Sequence, residues 1–252
     1  MAEQRPEAEE SARLLGAGSR DGIQERGGPG GPEQTVQERS EGRAGDALGA
    51  SLVVAGVLTM LLTTWIKVFG AGFGALGAFM FHPTANVFAI CLFAFGILTL
   101  QPTMHPRTKA RGLARHQIVM LGLGIPALLF GSGAIVWYKV SHGYNHMYSW
   151  HAWLGLLAIV WLVFQVILGG GSVWFNGKLF APDPKRLWKW HRASGYLLFL
   201  LFQVVIWLGV HHTTFFPKNT SVLTRIIVFN VAPAAVLFGL YSRARLSKMP
   251  LF

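Results

Sequence analysis

The sequence predicts an all-α integral membrane protein that crosses the bilayer six times, and two observations carry that reading. Of its 252 residues 52% are hydrophobic, and they fall in long runs free of charge. A spanning helix needs ~20 mostly apolar residues, and several runs are that long. Charge is also segregated. Residues 1–46 contain ten of the eleven acids and six of the 22 basic residues, whereas from Ala47 onward there are sixteen basic residues and one acid, Asp183. The net charge of +11 is therefore no sign of nucleic-acid binding. Its basic residues sit at the ends of apolar runs, where they set topology, and form no stripe on a soluble domain.

Taken in order, residues 1–46 are rich in Gly, Glu, Arg and Ser and include Gly-Gly-Pro-Gly-Gly-Pro at 27–32. They are expected to form a disordered cytosolic tail. With no apolar stretch early in the chain, neither a secretory leader nor a translocated N-terminal domain is expected. A membrane domain is expected over 47–245 and a short cytosolic tail over 246–252. The spans are placed near 47–66, 77–100, 116–137, 149–170, 190–210 and 222–241. All should be helical, because a backbone in lipid has to satisfy its own hydrogen bonds. Gln101-Pro102 and His105-Pro106 close the second span, and Pro182 and Pro184 interrupt the fourth connection. Tyr148, Trp150, Trp153, Trp188 and Trp190 fall at interfaces, where amphipathic rings prefer to sit. No sequence-level repeat is evident.

Lys and Arg assign the sides. The second connection has Arg107, Lys109, Arg111 and Arg115; the fourth has Lys178, Lys185, Arg186, Lys189 and Arg192; the C-terminus has Arg243, Arg245 and Lys248. The opposite side has only Lys67, Lys139, Lys218 and Arg225, a bias of twelve to four that puts both termini in the cytosol. Whether the membrane is an endomembrane or the plasma membrane is not encoded. Cys91 is the only cysteine, so an internal disulfide or a thiolate zinc site is excluded.

Four histidines, His82, His116, His151 and His191, stand at the opening turns of four successive apolar segments. Successive spans run in opposite directions. His82 and His151 therefore fall in a layer near one membrane face and His116 and His191 in a layer near the other, on the order of 20 Å apart. Any one of them reads equally well as an interfacial ring; four at matched depths require pairing or ligation, because unpartnered ionisable groups in a bilayer are costly. Two imidazoles per layer from facing helices suit two stacked haems, each coordinatively full and fit for electron transfer. Gly155 and Gly195, one turn after His151 and His191, would leave room for a flat macrocycle, although close helix packing uses glycine as freely.

In order and spacing these residues resemble the cytochrome b561 family. The resemblance covers about residues 47–245. It rests on Phe81-His82-Pro83, Arg115-His116, the run Tyr148-Ser149-Trp150-His151-Ala152-Trp153-Leu154-Gly155, and His191-Arg192-Ala193-Ser194-Gly195. It implies six transmembrane helices whose four-helix core, the second to the fifth, holds two haem b groups. His82 and His151 would bind the non-cytosolic iron, and His116 and His191 the cytosolic one. The implied activity is that of a transmembrane oxidoreductase passing electrons from cytosolic ascorbate to ferric chelates or monodehydroascorbate on the far side. The chain looks most like the short, single-domain members, and a homodimer is a further implication. It departs from the family where many members have Ser-Leu-His-Ser-Trp and this chain has Ser149-Trp150-His151-Ala152-Trp153, and where lysines associated with ascorbate are here mostly arginine.

Basic residues flanking the cytosolic haem would attract an anionic donor. Arg111, Arg115, Lys189 and Arg192 are the substrate candidates, with Lys185 and Arg186 beside them; taken singly each serves as well as a topology determinant on anionic lipid, and only Arg115 and Arg192, adjacent to the histidines, rise above that reading. His142 and His146 make a His-x-x-x-His spacing that a membrane di-iron oxygenase would need several times over, with carboxylates. His211 and His212 end the fifth span as solvated interface residues, with binding or guiding of ferric chelates, together with His142 and His146, as the alternative reading. A haem-free carrier of a neutral solute is the other alternative, since the spans contain no acid for ion coupling.

Overall fold

A computed structural model describes residues 42–101, 105–174 and 184–245. The tails expected over 1–46, up to Glu41, and over 246–252 lie outside the described residues, as do Lys178, Pro182, Asp183 and Lys248. Every regular element among the described residues is helical, and six helices are long and apolar enough to cross a membrane. They are α1 (Asp46–Ala71), α2 (Phe73–Leu98), α3 (Pro106–Ser141), α4 (Trp150–Val173), α5 (Pro184–His211) and α6 (Val222–Arg243). The chain is a multi-pass membrane protein. Large apolar side chains such as Ile66, Trp137 and Leu223 are more than 60% exposed on its outside, where lipid would cover them.

Two helices start earlier than hydropathy places their spans. α3 begins at Pro106 and not near 116, and α5 begins at Pro184 and not near 190. Apolarity marks where lipid begins; the helix itself runs on through Arg107, Lys109, Arg111 and Arg115, which are good helix formers that keep their charges in water. Pro106 opens α3 at a position where its missing N–H leaves no bond unmade. As a result His116 stands about three turns into α3 and His191 about two turns into α5, away from the opening turns. His82 and His151 do stand next to helix starts, Phe81 and Trp150. Ahead of His82, α2 is broken by a 3₁₀ turn at Gly77–Met80. Gly77, at φ 53, lies in the left-handed region that a glycine enters without strain. Ahead of His151, Ser149 caps α4, its hydroxyl accepting from the Ala152 N–H at 3.3 Å.

Wide π-helical turns interrupt α3 at Ile118–Gly124 and α6 at Ile227–Val231. Each lies just ahead of a proline, Pro126 or Pro233. A proline cannot donate to the carbonyl four residues back and its ring crowds that carbonyl; widening the turn relieves the conflict and takes in one extra residue.

The helices pack as pairs: α2 on α3, α4 on α5 and α6 on α1, with α1 also against α2. Small residues allow the last pairing, since a Cβ on Gly56 would stand 2.6 Å from Val236 Cγ2 and 2.8 Å from the Ala232 carbonyl. Val53, Met60, Ile90, Phe93, Phe229, Val236 and Leu240 fill the core. At the basic end Arg243, 6% exposed, ties three helices together by donating to the Asp46 carbonyl of α1 and, at 2.6 Å, to the Gln101 carbonyl just past α2.

Candidate functional site

The α2–α3 and α4–α5 pairs bring the four histidines together two by two. At the end of the molecule where α2 and α4 begin, the His82 and His151 rings lie with centroids 5.8 Å apart and planes at 86°. At the basic end His116 and His191 stand 6.4 Å apart at 90°. Each couple joins one hairpin to the other.

Within its own hairpin each ring is fixed through Nδ1. His82 faces the Gly131 carbonyl at 3.1 Å, His116 the Gly96 carbonyl at 3.1 Å and His151 the Val205 carbonyl at 2.9 Å. His191 faces Gln165, through its backbone carbonyl and through a carboxamide 2.9 Å from Nδ1. A carbonyl oxygen can only accept, so Nδ1 carries the proton and donates, and in a neutral imidazole that leaves the Nε2 lone pair free. A hydrogen bond of this kind on the far ring nitrogen orients metal-bound imidazoles and makes them more basic.

Of four glycines that sequence reasoning missed, Gly169 and Gly209 allow two of these approaches, and Gly131 and Gly96 make room for Asn86 and Met120 beside the other two rings. A Cβ on Gly169 would stand 2.7 Å from His191 Cε1, and one on Gly209 would stand 2.8 Å from His151 Cε1. On Gly131 it would meet Asn86 Oδ1 at 2.7 Å, and on Gly96 it would meet Met120 Cε at 3.0 Å. A signal was present in the sequence: each lies at the depth of the facing helix's histidine. Gly155 and Gly195 are less crowded, with nearest neighbours at 3.7 Å (Val205 Cγ1) and 3.6 Å (Gln165 Oε1). Gly195 lines the cavity at the basic end.

That cavity, of about 550 Å³, contains His116 and His191 with Gly169, Phe199 and Arg192 in its wall. It is within the ~300–1,000 Å³ usual for cofactor pockets. A second cavity, of about 680 Å³, opens beside His151 at the other end and is walled by Tyr148, Trp150, Trp153, Leu208 and His212. Of the basic candidates, Arg192 borders the first cavity together with Lys109, while Arg111 and Arg115 point to the exterior. Lys189 lies over the Trp190 ring at 5.6 Å.

Of the remaining histidines, His142, His211 and His212 are engaged elsewhere. His142 stacks between Tyr138 and Tyr144 and donates to the Tyr138 carbonyl at 2.8 Å. His211 bonds Asn230 at 2.9 Å, and Trp207 packs on both His211 and His212. Among the described residues no three His, Cys, Asp or Glu side chains cluster.

The described site fits a haem iron held by two imidazoles. Two metal–nitrogen bonds of about 2 Å, plus half of each ring, account for centroid separations of 5.8 and 6.4 Å. Comparison with known proteins points the same way. Residues 80–217, more than half of the chain, match the family described as eukaryotic cytochrome b561. A Bos taurus protein named transmembrane reductase CYB561D2 is 26% identical over 201 residues, 73% of this chain and 90% of its own length. The Homo sapiens protein of the same name is 27% identical over 175 residues, 64% of this chain and 78% of its own. A Caenorhabditis elegans protein described as a transmembrane ascorbate-dependent reductase CYB561 homolog is 22% identical over 174 residues, 64% of either chain.

Proposed function

The chain belongs to the cytochrome b561 family, and from that premise we propose that it is a transmembrane one-electron reductase with two haem b groups. His116 and His191 hold the cytosolic haem, and His82 and His151 the other. The observation that carries this reading is the pair of facing imidazole couples, with Nδ1 of three of the four rings bonded to a backbone carbonyl and the fourth to Gln165. Bound in this way, haem iron is coordinatively full and exchanges single electrons without binding oxygen or substrate.

The chain's own residues orient this traffic. Backbone carbonyls hold His82, His116 and His151 in the ligating tautomer and Gln165 serves His191, while Gly169 and Gly209 give two of the rings room beside the opposite helix. Arg192 and Lys109, on the cavity at the basic end, attract an anionic donor of the ascorbate kind; Arg111, Arg115 and Lys189 add to the field at that face. The positive-inside bias puts this end in the cytosol, with both termini. At the other end the aromatic cavity beside His151 offers Tyr148, Trp150 and Trp153 to a ferric chelate or monodehydroascorbate.

The test is a dithionite-reduced-minus-oxidised spectrum of the purified protein, with haem quantified per chain and ascorbate as an alternative reductant. Two b-type haems per chain, at least partly reduced by ascorbate, are expected. Protein from a haem-replete host that is folded and holds no haem would overturn the proposal.

A further inference from the structure

At two of the four rings Nδ1 also meets a side-chain carboxamide, and these fall one to each layer. Asn86, one turn after His82 on α2, places its carboxamide nitrogen 3.0 Å from His82 Nδ1, while Gly131 O stands 3.1 Å from the same atom. As placed, two donors converge, because Nδ1 is already committed to donating to Gly131. Asn86 Oδ1 meanwhile is buried with no partner. Turning the amide about its own axis puts Oδ1 on Nδ1–H, which removes the conflict and gives that oxygen a donor.

Gln165, 5% exposed, is the counterpart at the other layer. One end of its carboxamide stands 2.9 Å from His191 Nδ1 and 3.1 Å from the His191 carbonyl; the other is on Ser194 Oγ and 3.2 Å from the Gly195 N–H. These neighbours pull in opposite senses. With its nitrogen toward the ring the amide satisfies the His191 carbonyl and the Gly195 N–H. It then needs an unprotonated Nδ1, and the proton moves to Nε2, where it blocks ligation. With its oxygen toward the ring the amide accepts from Nδ1–H and leaves Nε2 free.

We propose that Asn86 and Gln165 are positioning residues, one for each haem, whose carboxamide oxygens accept from Nδ1–H of His82 and His191 and set how strongly each site prefers ferric over ferrous iron. The inference rests on the haem reading above. A second acceptor on Nδ1–H makes the imidazole a stronger donor, which favours the ferric state and lowers the midpoint potential. His116 and His151 have a backbone carbonyl alone, so each haem has one tunable ligand and one fixed one.

The experiment is a potentiometric titration of the full-length, haem-loaded protein, with ferric low-spin spectra recorded on the same samples. Two variants, Asn86→Leu and Gln165→Met, remove the amides at similar volume. Each should raise one midpoint only, the former that of the His82–His151 haem and the latter that of the His116–His191 haem. The expected loss of ferric preference is up to about tenfold, or about 59 mV for one electron. Variants Asn86→Asp and Gln165→Glu, which keep an acceptor oxygen, should hold or lower the same midpoints. Two haems bound with neither midpoint moved, or both midpoints moving together in a single variant, would overturn the proposal and leave the haem reading standing. Wild-type protein without haem would overturn that reading and this one with it. If Asn86→Leu or Gln165→Met loses its haem, the acidic variant at that position decides. Retention with an unraised midpoint supports the acceptor role, and loss in both variants overturns it.

Discussion

Beneath the imidazoles of His151 and His191 the facing helix has no side chain at all. Gly209 and Gly169 are conformationally ordinary helical residues, so their value lies in the space they leave. A methyl group at either would stand 2.8 or 2.7 Å from an imidazole carbon, well inside van der Waals contact. The ring would have to tilt away from Val205 O or Gln165 O and lose the hydrogen bond that fixes its tautomer. Losing such a bond behind a metal ligand typically costs about 10–100-fold in metal affinity. Gly209→Ala is therefore expected to deplete the His82–His151 haem selectively, and Gly169→Ala the His116–His191 haem. Haem quantified per chain, with the two species separated by their potentials, checks this; equal loss of both haems in either variant would mean general unfolding.

At the level of the helices the site has a period. His82 and Gly96 on α2, His151 and Gln165 on α4, and His191 and Val205 on α5 are each fourteen residues apart, whereas His116 and Gly131 on α3 are fifteen apart. Each helix thus supplies a histidine to one layer and an acceptor carbonyl to the other, roughly 21 Å away at 1.5 Å per residue. The extra residue in α3 is taken up by the π turn at Ile118–Gly124, which keeps His116 and Gly131 in phase. Deleting Gly122 together with Pro126→Ala should turn that stretch into a plain α-helix, restore fourteen and retain both haems. Deleting Ile159, between His151 and Gln165, should rotate the two ends of α4 by about 100° relative to one another and abolish at least one site. Haem content of the two deletions distinguishes them. The six apolar runs and the depths of the four histidines were legible in the sequence, because apolarity and a fixed rise per residue determine them. The fourteen-residue spacing was not, since one of its two members is a backbone carbonyl that any side chain can accompany. The early starts of α3 and α5 were hidden as well, because hydropathy reports where lipid begins and is blind to a helix continuing into water.

On the two-haem proposal, the two layers are useful to the molecule as a whole only in series. Each of α2 to α5 contributes to both layers, a histidine to one and an acceptor to the other, so the α2–α3 and α4–α5 pairs together hold the layers at a fixed separation. Loss of one layer should therefore separate donor oxidation from acceptor reduction. With ascorbate sealed inside vesicles and a ferric chelate outside, His151→Ala is expected to keep a haem at the basic end that ascorbate still reduces, with reduction of the external chelate falling at least tenfold. His191→Ala should fail earlier, because the remaining haem stands at the far end from the donor and stays oxidised when ascorbate is added. The contrast follows from geometry: the surviving haem is next to the donor in the first variant and about a bilayer's half-width or more away from it in the second. Stopped-flow spectra of haem reduction, recorded alongside chelate reduction in the same vesicles, measure both quantities. Identical behaviour of the two variants would mean that the layers do not act in sequence, and a wild-type rate of chelate reduction in either would mean that electrons cross by some route other than the two histidine couples.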